Sequence, residues 1–177
     1  MNEEVQRIIL KYGKHILCTE EFRCAFEQVH HQSTTVGDHT LGVTVEAVKF
    51  CIRHGLTDDI TLGNVVTASL CHDLGIMGRH EKFENSVQCL RQHPKHSVER
   101  YMDITGEENE RVREAIAVHM FPLRLRIPTH KEAWILTMAD KLGAVKEKIG
   151  RPPITQFERE MIMADAADMT KGGQQTG

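Results

Sequence analysis

Apolar residues recur at helical spacing along most of the chain, and glycine, proline and capping side chains divide the pattern into helices. Val5, Ile8, Ile9 and Tyr12 form a first stripe, which Gly13 is expected to interrupt. A shorter piece carries Phe22, Phe26 and Val29, with Thr19 as its N-cap and Glu20 and Glu21 in its acidic first turn. His30 to Thr35 has no stripe and reads as a polar loop. From about Asp38 to His54, Leu41, Val45, Val48 and Ile52 recur at i, i+4, i+7 and i+11, and Gly55 stops the helix. His39 lies in its first turn, on a partly buried flank with Val43, Glu46 and Phe50. Thr57-Asp58-Asp59 caps the next helix, whose Leu62, Val65, Val66, Ser69 and Leu70 run into Cys71-His72-Asp73-Leu74, with Gly75 as the expected break.

Ile76 to Phe83 reads as a charged loop containing Arg79. A short helix through Val87 and Leu90 is expected to end near His93-Pro94, because proline disfavours α geometry in the residue before it and suits the first turn of a new helix. His93 is thereby placed at a helix junction, free to point inward. His96 aligns with Arg100 and Asp103 on a solvated face, so His93 is preferred to it as a ligand. Val112, Ile116 and His119 share one stripe of the following helix, and Leu123 to Pro128 is extended and carries Arg124 and Arg126. In the helix from His130 to Ile149 the middle, Trp134 to Ala139, is apolar all round, which marks a central buried helix. Asp140 follows directly, with Lys141 beside it. Ile154 to Met169 gives one more amphipathic helix. No segment alternates convincingly at period two, so the expectation is an all-α, single-domain helical bundle over residues 1–169, with 170–177 as a flexible tail.

The 177 residues suit one domain, and the net charge of -3 offers no extended basic field for nucleic acid or an anionic membrane. An acidic N-terminus and the lack of a membrane-length apolar run point to a cytoplasmic protein with no membrane partner. Five cysteines without a CxxC pair read as reduced and structural. Histidine changes the picture: 11 in this chain raise the prior for a metal site, since imidazole is the commonest metal ligand.

Helix ends or buried stripes hold His39, His72 with Asp73, His93, His119 and Asp140. Each alone reads equally well as a core or solvated side chain, and a chain of this composition supplies a His-Asp dipeptide by chance roughly half the time. A buried, unpaired carboxylate is costly or loses its charge, however, and one buried dinuclear cation site would account for every one of these residues.

In this order the residues resemble the HD-domain superfamily of metal-dependent phosphohydrolases over about residues 30–149. Small bacterial HD-domain proteins are the most similar, through Asp38-His39-Thr40-Leu41, His72-Asp73-Leu74-Gly75, His93-Pro94, His119-Met120-Phe121-Pro122-Leu123 and Ala139-Asp140-Lys141. The resemblance implies a first metal held by His39, His72, Asp73 and Asp140, and a second completed by His93 and His119 with Asp73 bridging. His72 and Asp73 are then the catalytic pair. The donors are nitrogen and oxygen without thiolate, which suits one or two divalent ions (Fe, Mn, Co, Ni or Mg, with Zn also compatible). The expected substrate is a small phosphorylated molecule of nucleotide type, with Arg79, Arg124, Arg126 and Lys141 as candidates to neutralise its phosphate on charge and sequence proximity. A mixed-valent di-iron oxygenase of the same family and a non-catalytic metal-containing ligand sensor are the alternatives, and self-association is left open.

Overall fold

The computed structural model describes residues 2–31 and 34–172. Helices dominate in the order α1 (Glu3–Leu17), α2 (Glu20–Cys24), α3 (Val36–Arg53), α4 (Asp59–Cys71), α5 (Arg79–Lys82), α6 (Ser86–Thr105), α7 (Glu110–Val118), α8 (Lys131–Lys148) and α9 (Gln156–Gly172). A 3-10 turn, Leu74–Ile76, follows α4. Ahead of α3 lies a short antiparallel pair, β1 (Val29–His31) and β2 (Thr34–Thr35), in part of the stretch expected to be loop, while residues 32 and 33 lie outside those described. Val29 is on this pair and exposed, so it does not continue the stripe of Phe22 and Phe26. The chain is all-α apart from this ribbon. Of the expected tail, α9 takes the backbone to Gly172, and 173–177 are outside the described residues.

The central helix is α4. It packs against α1, α3, α6, α7 and α8, and Leu62 and residues 64–71 are all buried. The expectation that α8 would be the buried centre is corrected here. Ala133, Ile135, Leu136, Thr137 and Ala139 face the core, but Trp134 is 41 % and Met138 54 % exposed, in line with exposed Leu142, Val145 and Ile149. An apolar run does not reveal which side of a helix its neighbours cover; here α3, α4 and α7 cover only one side of α8.

Two glycines act otherwise than as breaks. Gly13 lies inside α1, where a Cβ would collide with Leu70 Cδ1 and stand 3.1 Å from Val66 Cγ1, so its absent side chain lets α1 approach α4 closely. Gly75 is in the 3-10 turn; a Cβ there would strike the His93 carbonyl and stand 2.5 Å from the Ser97 nitrogen. The Gly75 N–H donates to Ser97 Oγ at 2.9 Å. The turn after His72-Asp73 is thus seated directly on α6.

That seat also corrects the expected break at Pro94. α6 is continuous through the proline. A proline inside a helix costs roughly 3 kcal/mol through its missing N–H and its clash with the carbonyl four residues back. The packing of α6 on the 3-10 turn, α7 and α4 holds both halves in one helix nonetheless. Among the described residues no helix is long and apolar enough to cross a membrane.

Candidate metal centre

His72 and His119 are placed by the same local device. Each follows the last residue of a helix, α4 and α7 respectively, and each ring turns back to bond its own helix end. His72 Nδ1 donates to the Ser69 carbonyl at 2.7 Å, and His119 Nδ1 donates to the Ile116 carbonyl at 2.7 Å. A carbonyl only accepts, so Nδ1 carries the proton and Nε2 is left to face inward. His93 reaches the same state from within α6, its Nδ1 donating to the Cys89 carbonyl one turn back at 2.9 Å. For His39 the partner is a carboxylate: Nδ1 donates to Glu147 Oε1 at 2.6 Å. Such anchoring fixes tautomer and ring orientation in metal-ligating histidines.

The four Nε2 atoms gather around Asp73 and Asp140. His39 Nε2 is 3.1 Å from Asp140 Oδ1 and 3.7 Å from Asp73 Oδ2, and His72 Nε2 is 3.8 Å and 3.5 Å from the same two oxygens. On the other side of Asp73, Oδ1 lies 3.3 Å from His93 Nε2 and 3.4 Å from His119 Nε2, which are themselves 3.0 Å apart. All six residues are buried. Three donor groups each lie close enough to hold one ion: His39 with His72 and Asp140, Asp73 with His93 and His119, and His30 with His39 and Asp73.

The donors fit a cation. Among the described residues, neither His72 Nε2 nor Asp73 Oδ1 has a hydrogen-bond partner, although both are buried, where an unsatisfied polar atom is expensive. Adjacent donors on one ion with bonds of about 2.1 Å are separated by roughly 3.0 Å in octahedral and 3.4 Å in tetrahedral geometry, which covers the spacing around Asp73 Oδ1.

The charges are pre-set for this. Burial opposes ionisation of Asp73, but His72 and the other imidazoles around it hold its carboxyl well below the usual range. Asp140 is likewise held well below that range against burial by His39 and His72. Burial lowers His119 below its ordinary value, with Asp73 only partly countering it. His39 moves the other way. Burial disfavours its charge, yet Asp140 and Glu147 raise the imidazole to about 10.

Two residues at this centre were not anticipated. His30, on β1, is buried with Nε2 3.1 Å from Asp73 Oδ2. Its strand is too short for periodicity, and the only sequence signal is the His30-His31 pair in a polar stretch. Glu147 was legible in principle. It is seven residues after Asp140 on α8, hence on the same stripe, and Gly143 between them leaves room for His39, whose Cε1 would be 3.5 Å from a Cβ there. Burial pushes the Glu147 carboxyl up, but His30 and His39 bring it down to about 2.

The cationic candidates separate. Lys141 Nζ donates to Asp140 Oδ2 at 2.6 Å and to the His119 carbonyl at 3.1 Å, tying α8 to the end of α7. Arg79 donates to the His30 carbonyl at 3.3 Å. Arg126 is exposed and Arg124 partly buried on the segment after α7. His96 is kept apart, pairing with Glu99 at 3.0 Å on the surface of α6. A surface cavity of about 570 Å³ lies beside α9, lined by Lys148, Arg151 and Arg159 among others; Glu147 is the one residue of the cluster on its wall, so it meets the back of His39 rather than the face of the donors.

No curated protein and no solved structure matches the chain. The family model of the HD domain does match, over residues 36–145, a stretch that contains all six residues gathered at Asp73 and Asp140. HD domains are typically metal-dependent phosphohydrolases, and the buried histidine and aspartate groups could hold metal. The match spans more than half of the chain and agrees with its all-α fold: the chain belongs to the HD-domain family.

Proposed function

We propose that this protein is a metal-dependent phosphohydrolase that cleaves a phosphoester of a small molecule, a nucleotide being the leading substrate class, at a dinuclear centre. The observation that carries this reading is the two-sided use of Asp73. Its Oδ2 faces His39 and His72, and its Oδ1 faces His93 and His119. A single carboxylate addressed to two donor groups is the arrangement that keeps two cations together. Asp140 completes the first group.

Divalent ions at these positions supply a water of lowered pKa and a charge that polarises the phosphoryl oxygens. The protein's own contribution is positional. Backbone carbonyls hold the rings of His72, His93 and His119, Glu147 holds His39, and Lys141 holds Asp140. Because the cluster is buried, these interactions act in a medium of low effective dielectric, and the fixed groups need no rearrangement as charge develops. A protein nucleophile has little support. Cys71, the thiol adjoining the pair, is buried, and desolvation pushes it upward, so it stays a neutral packing group.

The test is phosphate release from a panel of phosphomonoesters and phosphodiesters weighted toward nucleotides, using protein stripped with a chelator and reloaded with Mn, Co, Fe or Mg. Release that vanishes on stripping and returns on reloading supports the proposal. Tightly bound iron with oxygen uptake and no phosphate release would place the protein among oxygenases. Retained metal with no turnover would make it a sensor.

A further inference from the structure

His30 and Glu147 both lie outside the stretch matched to the HD-domain model, yet they meet inside the cluster. The His30 ring stacks on that of His39, with centroids 4.3 Å apart and planes inclined by 24°. The two rings are matched end to end. Their Nδ1 atoms face one carboxylate, His39 to Glu147 Oε1 at 2.6 Å and His30 to Glu147 Oε2 at 3.8 Å. Their Nε2 atoms face another, at 3.1 Å for His30 and 3.7 Å for His39 from Asp73 Oδ2. The backbone of His30 is held in turn by Arg79, which donates to its carbonyl.

We propose that His30 is a seventh donor of the centre, binding the ion shared by His39 and Asp73 Oδ2, and that Glu147 is the positioning residue that aims both imidazoles. The inference rests on the metal-centre reading above. Glu147 hydrogen-bonds His39 at Nδ1 and its second oxygen stands 3.8 Å from His30 Nδ1, so the two stacked rings present adjacent nitrogen donors to the same Asp73 oxygen, and ligand atoms of His30, His39 and Asp73 lie within 4.8 Å of one another. A histidine serving only to pack would not need its ring aligned with that of a ligand. One serving only to hydrogen-bond Asp73 could be replaced by another N–H donor.

Cobalt(II) titration with its visible absorption separates these cases. Wild-type protein, His30→Ala, His30→Gln and Glu147→Ala are compared, with circular dichroism to establish that each is folded. His30→Ala should weaken one of two cobalt equivalents at least about tenfold and alter the cobalt spectrum, and Glu147→Ala should weaken the same equivalent about 10–100-fold. His30→Gln should behave like the alanine variant, since it keeps an N–H donor but offers no imidazole. Unchanged affinity and spectrum in folded His30→Ala overturn the proposal, as does recovery of wild-type behaviour in His30→Gln. Failure of the wild type to bind cobalt overturns the metal-centre reading itself, and with it this inference.

Discussion

His93 and His119 point their Nε2 atoms at each other across 3.0 Å while each gives its Nδ1 proton to a backbone carbonyl. Two neutral rings held in this way would oppose lone pair to lone pair, so a proton or a cation must lie between them. Removing either ring is therefore expected to eliminate the donor group on the Asp73 Oδ1 side. His93→Ala and His119→Ala should each lower bound metal from two equivalents to one, as read by elemental analysis of the dialysed protein. His96→Ala, whose ring pairs with Glu99 on the surface, should retain both.

Metal affinity should rise with pH through the neutral range. The His39 imidazole, raised from 6.5 to about 10, is protonated in the metal-free protein, and a cation at Nε2 must displace that proton. Affinity should increase by about one decade per pH unit for each proton released, up to the region of pH 10. In the absence of metal, the stability contributed by His39 is full below pH 6.5 and declines as the pH rises through about 10. Glu147, lowered from 4.5 to about 2, contributes stability that is present above pH 4.5 and declines as the pH falls through about 2. Calorimetric titration in buffers of different ionisation enthalpy counts the protons released on binding; none at pH 8 would contradict the His39 assignment.

Gly75→Ala is expected to damage the centre without touching a donor. The added methyl would press on the His93 carbonyl and the Ser97 nitrogen, so the 3-10 turn must lift from α6. Overpacking of this kind costs about 1–3 kcal/mol. Thermal melts of the metal-free protein should show that loss, and the second metal equivalent should weaken as His93 moves relative to Asp73.

Lys141→Met removes the cation that holds Asp140 Oδ2 and the His119 carbonyl together. The variant should bind the first metal more weakly, by about tenfold, as expected when an outer partner of a ligand is lost. Lys141→Arg keeps the charge and should recover part of the affinity. Equal binding by all three proteins would show that Lys141 does not position Asp140.

Much of this arrangement was legible because helix ends are written in local chemistry. Thr19 and Asp58 cap α2 and α4 through their side chains, as their spacing suggested, and Gly55 ends α3 with a positive φ. The six residues gathered at Asp73 could be singled out because each is polar at an apolar stripe or a buried helix end. What sequence spacing could not express is which neighbour covers a helix. Gly13 and Gly75 looked like breaks because their use, close approach to Leu70 and to His93, depends on α4 and α6 arriving from elsewhere. Pro94 looked like a boundary for the same reason. His30 was hidden because a three-residue strand has no period, and its role depends on Asp73 and Glu147, both distant in sequence.

The proposed bridging role of Asp73 is tested most directly by metal content and hydrolysis in Asp73→Ala, with circular dichroism to verify the helical fold. The expected result is a folded protein that has lost both metal equivalents and all metal-dependent phosphate release, because each donor group loses the oxygen facing it. A folded Asp73→Ala protein with unchanged metal content and undiminished hydrolysis would contradict the proposed centre.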